Sequence, residues 1–254
     1  MIIRLGAVLI VLALMATVAQ TGVDTLKGTS DIEDCYIYSY ADCDPERPGE
    51  DCRRFNTGGL YRMRIGVYPS ARDHRALLSI PGWEGSIPDS SKFLINCVYE
   101  FDGVDRKIFL YPLTKQIYEG TEVTSMLGDY PNPDSGATWY HAWLDVGDSD
   151  SLNWTTTGGD YNVGVACTTT ITGTDQYFSF DHFNRVLNYW DTSSQDYGFI
   201  LINENAFPAN SAQKQILTTE SSTGLSPMVL LFTTDFFEVV GARRRMIGQI
   251  LSDG

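Results

Sequence analysis

Residues 92–101 read KFLINCVYEF. Phe93, Ile95, Cys97 and Tyr99 occupy every second position, with Asn96 and Glu100 between and beyond them. A period of two places alternate side chains on one face of an extended strand, so this stretch reads as a strand with one side in a core. Working outward, the same character recurs in CYIYSY (35–40), LYRMRIGV (60–67), RALLSI (75–80), KIFLYPL (107–113), NVGVACT (162–168), QYFSF (176–180), GFILIN (198–203), QILTTE (215–220) and MVLLFTT (228–234). Gly, Pro, Asn and Asp clusters separate them and supply the turns. Many short strands with turn chemistry between them predict an all-β chain, a jelly-roll-like antiparallel β-sandwich.

One segment departs from this period. In DHFNRVLNYWD (181–191), Phe183, Val186, Leu187 and Trp190 fall at i, i+3, i+4 and i+7. That spacing predicts one short amphipathic helix, with Asp181 where an N-cap belongs.

The chain has 254 residues and opens with MIIRLGAVLIVLALMATVAQ. Arg4 precedes an apolar run from Leu5 to Val18, and small residues follow at the cleavage positions. This predicts a signal peptide over 1–19, too short to span a bilayer, which takes roughly 20 apolar residues. An uncleaved anchor is the competing reading. The expected organisation is then a polar leader at 20–33, one sandwich domain at 34–234 and a tail at 235–254 that carries Arg243 to Arg245. The protein is expected outside the cell or at its surface, with no membrane contact after cleavage.

The net charge is −14, and the expected loss of Arg4 with the signal peptide makes the remainder more negative still. Such a chain repels nucleic acid and anionic surfaces unless a cation intervenes, so no nucleic-acid partner is expected. The five cysteines are Cys35, Cys43, Cys52, Cys97 and Cys167. An exported chain permits disulfides. Cys43 and Cys52 flank DPERPGED, a loop that a bridge can close; Cys97 and Cys167 can pair across two sheets or fill the core as small hydrophobes.

Residues 137–161, ATWYHAWLDVGDSDSLNWTTTGGDY, concentrate the chemistry. Asp145, Asp148, Asp150 and Asp160 offer hard oxygen ligands for Ca²⁺, although aspartates also form turns by bonding their own backbone. Trp143 and Trp154, with Trp83 in PGWEGSIP, are candidate stacking platforms for sugar rings; Trp139 reads as core. Arg62 and Arg64 share a strand face and are the best local pair for an anion. Asn153-Trp154-Thr155 is a glycosylation sequon. No GxSxG, HExxH or Ser/His/Asp pattern appears, so no catalytic residue is assigned and an enzyme is not expected. A lyase or hydrolase would need a Tyr/His or paired-acid cleft, which sequence spacing does not show.

Taken in order, DCYIYSY, FNTGGLYRMRIGV, HRALLSIPGWEGSIPDSSKFLINCVYEF, ATW, a further Trp, GGDY, the helix with Trp190, QDYGFILINEN, ILTTES and SPMVLLFTT resemble the DNRLRE-type domain. That domain is a jelly-roll sandwich akin to family-96 carbohydrate-binding modules and to disaggregatase-related repeats of archaea. The resemblance covers about residues 34–234. It implies that ATW and Trp139 are architectural, that Gly158-Gly159 makes a tight turn, and that Asp160 caps backbone donors or binds a cation. It also implies a polysaccharide partner. The Cys43–Cys52 loop is extra, and the family-96 association with alginate, a polyanion, sits poorly with this charge unless Ca²⁺ or a basic patch mediates. The expected function is a non-catalytic, exported polysaccharide-binding module, with Ca²⁺ structural or bridging. The alternative is a structural subunit of a surface layer, filament or virus-like particle that self-associates through its termini.

Overall fold

A computed structural model of the chain describes residues 19–39, 51–54, 57–68, 72–83, 87–120, 136–144, 151–204 and 212–236. Residues 1–18 of the expected signal segment, Cys43, Asp145, Asp148, Asp150 and the Arg243–Arg245 run lie outside the described residues. The architecture is all-β and mostly antiparallel, as the alternating runs predict, with one helix.

Thirteen strands are described: β1 (Ala19–Lys27), β2 (Glu33–Tyr38), β3 (Arg62–Tyr68), β4 (Arg72–Ser79), β5 (Ser90–Glu100), β6 (Arg106–Pro112), β7 (His141–Leu144), β8 (Ser151–Asn153), β9 (Cys167–Ile171), β10 (Gln176–Asp181), β11 (Phe199–Asn203), β12 (Lys214–Leu217) and β13 (Met228–Phe236). Helix α1 spans Asn184–Ser193. The strand order is β1-β13-β5-β12-β3-β4-β11-β6-β9, with β10 added to β5 and β2 to β4. Thr25–Leu231 form one compact unit, and the described outer parts of β1 and β13 belong to a second.

The two faces of the sandwich meet at a corner in β3. Residues Arg62 to Ile65 pair with β12, whereas Gly66 to Tyr68 pair with β4. Gly66 makes the switch with φ +101°, and a Cβ there would sit 2.2 Å from the Ala212 carbonyl oxygen. Only glycine combines that dihedral with so close a backbone approach.

The main core lies between the faces. Met63, Ile65, Phe93, Ile95, Cys97 and Ile216 come from one side, and Ala76, Leu78, Ile108, Leu110, Phe199 and Leu201 from the other. The alternation in 92–101 holds through Cys97 and then breaks. Ile216 pairs with Cys97 but Gln215 with Tyr99, a bulge that coincides with the change from buried Cys97 to exposed Tyr99. A second core covers the far side of β2, β4 and β11: Cys35, Ile37, Leu77, Ile200 and Ile202 pack with Leu113, Ile117, Ala137, Ala142 and Trp154. Burial on both faces explains why FILIN is continuously apolar up to Asn203.

The polar leader at 20–33 carries a strand, since 19–27 form β1 beside β13. Two expectations are corrected. The run at 162–168 is a turn until Cys167: the Val165 N–H reaches the Asn162 carbonyl, and Val163 is exposed. Asp181 does not cap the helix; it ends β10 and pairs with Lys92 at 3.0 Å, while the N-cap position is Phe183 and has no side-chain cap. The apolar stripe is as expected, with Phe183, Val186, Leu187 and Trp190 in the main core.

Cys97 and Cys167 are free, buried thiols rather than a disulfide pair, as is Cys35. Cys97 Sγ donates to the Tyr99 carbonyl and Cys167 Sγ to the His182 carbonyl. Burial pushes both thiols up to about 11, so they serve as small core hydrophobes. Nothing is described of the Cys52 side chain.

Candidate functional site

The tryptophan-rich stretch forms a corner held together by one arginine. Gly158 and Gly159 adopt φ of +88° and +115°, the tight turn that the pair of glycines implies. Arg75 on β4 donates from Nη1 to the Gly158 carbonyl at 2.8 Å and pairs through Nε with Asp73 at 2.9 Å. Its guanidinium lies 4.9 Å from the Trp139 ring. Trp139 is therefore only half-buried and works as the flat face on which Arg75 rests. Asp160 closes the same corner. It accepts the Thr155 N–H at 2.6 Å and the Thr156 N–H at 2.8 Å, and pairs with Lys115 at 2.9 Å. Burial pushes its carboxyl up, but these donors outweigh that effect and hold it below the ordinary value. Both oxygens are thus engaged by the protein's own donors.

The candidate platforms separate. Trp154 is a correction: it is 6% exposed, and its indole N–H donates to the Thr138 carbonyl at 2.9 Å, so no sugar can reach its face. The chain carries Trp154 inward into the second core, while Trp139 packs against the edge of that core, as its core reading expects. Trp143 on β7 is half-buried and meets Tyr118, itself 50% exposed, with centroids 5.5 Å apart and planes inclined by 53°. Trp83 is half-buried and packs against the main core.

Arg62 and Arg64 lie as expected on β3, alternating with the buried Met63 and Ile65. The register then builds a row that the sequence does not disclose. Arg64 pairs across strands with Gln215, and Gln215 with Tyr99. In-register partners in neighbouring strands share a face. Arg62 Nη1 lies 3.5 Å from Gln215 Oε1 and its guanidinium lies 5.1 Å from the Tyr61 ring. Tyr99 and Tyr61 are exposed, and Arg62, Arg64 and Gln215 half-buried. Among the described residues neither arginine forms an ion pair. From Gln215 the row passes inward to Gln213 and from there to His74, which packs between Tyr36 and Tyr38. These four are buried, which gives them a packing role.

A second row lies on β6. Phe109 and Tyr111 stack at 5.7 Å, Tyr111 and Tyr161 at 5.2 Å, and Lys107 Nζ caps the Phe109 end at 4.8 Å. These rings largely cover one another, which makes the row an architectural ladder.

Far along the sequence, Asp34, Glu119 and Glu220 come together, with one carboxylate oxygen of each within 4.8 Å of the others. Asp34 is in β2, Glu119 in the segment after β6 and Glu220 in the turn after β12. Nothing in their spacing announces the meeting. Burial and then the Glu220 charge raise the Asp34 carboxyl well above its ordinary value; burial, Glu220 and Asp34 carry Glu119 to about 9.

No protein-family model matches the chain, and no curated protein matches it.

Proposed function

We propose that the chain is an exported, non-catalytic β-sandwich module that binds polysaccharide on the Tyr99–Gln215–Arg64–Arg62 row. The observation that supports this reading is a pair of arginines with no ion-pair partner among the described residues, set beside exposed Tyr99 and Tyr61. Guanidinium and amide groups hydrogen-bond vicinal hydroxyls or a uronate carboxylate, and a tyrosine ring offers its face to the C–H side of a pyranose. In an otherwise acidic chain these arginines are a local exception, which answers the charge objection to an anionic polymer. The exposed Tyr118 beside Trp143 adds a second aromatic contact on a different element. The resemblance to carbohydrate-binding sandwich domains points the same way.

The test is a glycan array followed by affinity electrophoresis with neutral and uronate polymers. Tyr99→Ala and Arg64→Met are expected to weaken retention at least about tenfold, the scale of one lost charge-assisted contact, while melting within a few degrees of the parent. Retention equal to the parent in both variants would exclude the row as the binding surface.

A self-associating structural subunit is the second reading. β1 stands at the end of the strand order, and Val23 on it is 56% exposed. An exposed edge strand accepts another strand. Light scattering across a concentration series decides: a concentration-independent monomer rejects assembly through β1.

A further inference from the structure

We infer that Asp34, Glu119 and Glu220 form a binding site for one hard divalent cation, Ca²⁺ by ligand type, that ties β2, the segment after β6 and the turn after β12 together. The argument starts from oxygen geometry. Oxygens that share one Ca²⁺ lie about 2.3–2.6 Å from it and so stand no more than about 5 Å apart. The three carboxylate oxygens here satisfy that limit, within 4.8 Å of one another.

The second observation is an unsatisfied buried oxygen. Asp34 is 1% exposed. Its Oδ2 accepts the Thr219 N–H at 2.8 Å, but its buried Oδ1 receives no hydrogen bond from the described residues. Among the same residues Glu220 Oε2 is likewise buried without a donor. A buried carboxylate oxygen without a partner is costly and calls for a ligand. The surroundings make this more acute. The Asp34 backbone bonds the Glu119 carboxylate, and the charges that act on the cluster are acidic: Glu33, Asp34, Glu119 and Glu220. Glu33 turns instead toward the Ser79 hydroxyl at 3.0 Å.

The donor set selects the ion. Three carboxylates, two of them on half-buried and adaptable glutamates, suit the high and flexible oxygen coordination of Ca²⁺ better than the strict octahedron of Mg²⁺. Zn²⁺ prefers nitrogen or sulfur. The nearby Cys35 thiol belongs to the second core and is held protonated by burial and by the same acids. The site is distinct from the Asp145–Asp160 stretch in which the sequence suggested Ca²⁺.

The experiment uses the whole chain and reads the cation without any glycan, so its result is separate from that of the polysaccharide test. Thermal unfolding near neutral pH is followed in CaCl₂ and in EDTA, for the parent, Glu119→Gln, Glu220→Gln and a control, Asp145→Asn/Asp148→Asn/Asp150→Asn. At a hundredfold excess over Kd, Ca²⁺ is expected to raise the parent midpoint by about 5–10 °C. Both glutamine variants should lose this rise and the control should keep it. Equilibrium dialysis of the folded parent stands even if a variant does not fold: one equivalent of Ca²⁺ should bind, and the control should bind it equally. The inference is overturned if the parent binds no Ca²⁺, if the control loses the binding, or if the midpoint rise survives both glutamine variants.

Discussion

At the scale of single residues, charge neighbours decide what a carboxylate does. Asp160 and Glu119 are both acidic side chains in loop-like sequence, yet one is held ionised by donors and the other is driven toward its neutral form. The consequence for pH has a definite sign. The pKa of Glu119 rises from 4.5 to about 9 on folding, so the folded chain binds a proton that the unfolded chain has released. Stability from this group is complete below about pH 4.5 and is lost as pH climbs toward about 9. Urea midpoints measured in chelator should therefore fall between pH 5 and pH 9, and Glu119→Gln should make the fall shallower. An unchanged slope in that variant would mean that the buried Asp34 carries the dependence. The cysteines teach a related lesson. Cys97 and Cys167 have strand-like flanks that admit a bridge, but each sulfur finds a carbonyl and an apolar surround instead.

At the scale of elements, local pattern and local chemistry part company at the ends. The stripe of α1 was legible from its spacing because a 3.6-residue period leaves one apolar face. Its start was not, because Asp181 continues β10 and finds Lys92. The helix ends on Ser194, which adopts the left-handed conformation with φ 54° and ψ 39°. Glycine reaches that region without the Cβ penalty. Ser194→Gly should stabilise the chain by about 0.5–1 kcal/mol, a midpoint rise of about 1–4 °C. A lower midpoint would show that the exposed serine contributes something its position does not reveal. The strands show the same division. β5 was legible as far as Cys97, and the bulge that turns Tyr99 outward was not, since it arises from the register with β12.

At the scale of the whole molecule, two cores share one set of strands. The doubly buried β2, β4 and β11 account for the long apolar run in FILIN, and the strap over them carries Trp154 inward. Three of the cysteines sit within these cores: Cys97 and Cys167 in the first and Cys35 in the second. Thiol titration of the native chain should leave all three unreactive, and concentrated guanidinium without reductant should release at least these three. Fewer than three new thiols would show that a bridge forms among them.

What the amino-acid order by itself determined is the class of the fold. Period-two runs, turn residues and one 3.6-period stripe are local properties, and each element carries its own record of which face is buried. The tight turn at Gly158-Gly159 was expected from the resemblance, and both residues adopt positive φ. Only the tertiary structure decided the sites. Arg64, Gln215 and Tyr99 become neighbours through register, and Asp34, Glu119 and Glu220 through the closure of three distant segments. Contacts of that kind depend on how strands pair and where the chain turns at Gly66, and no spacing along the sequence encodes them.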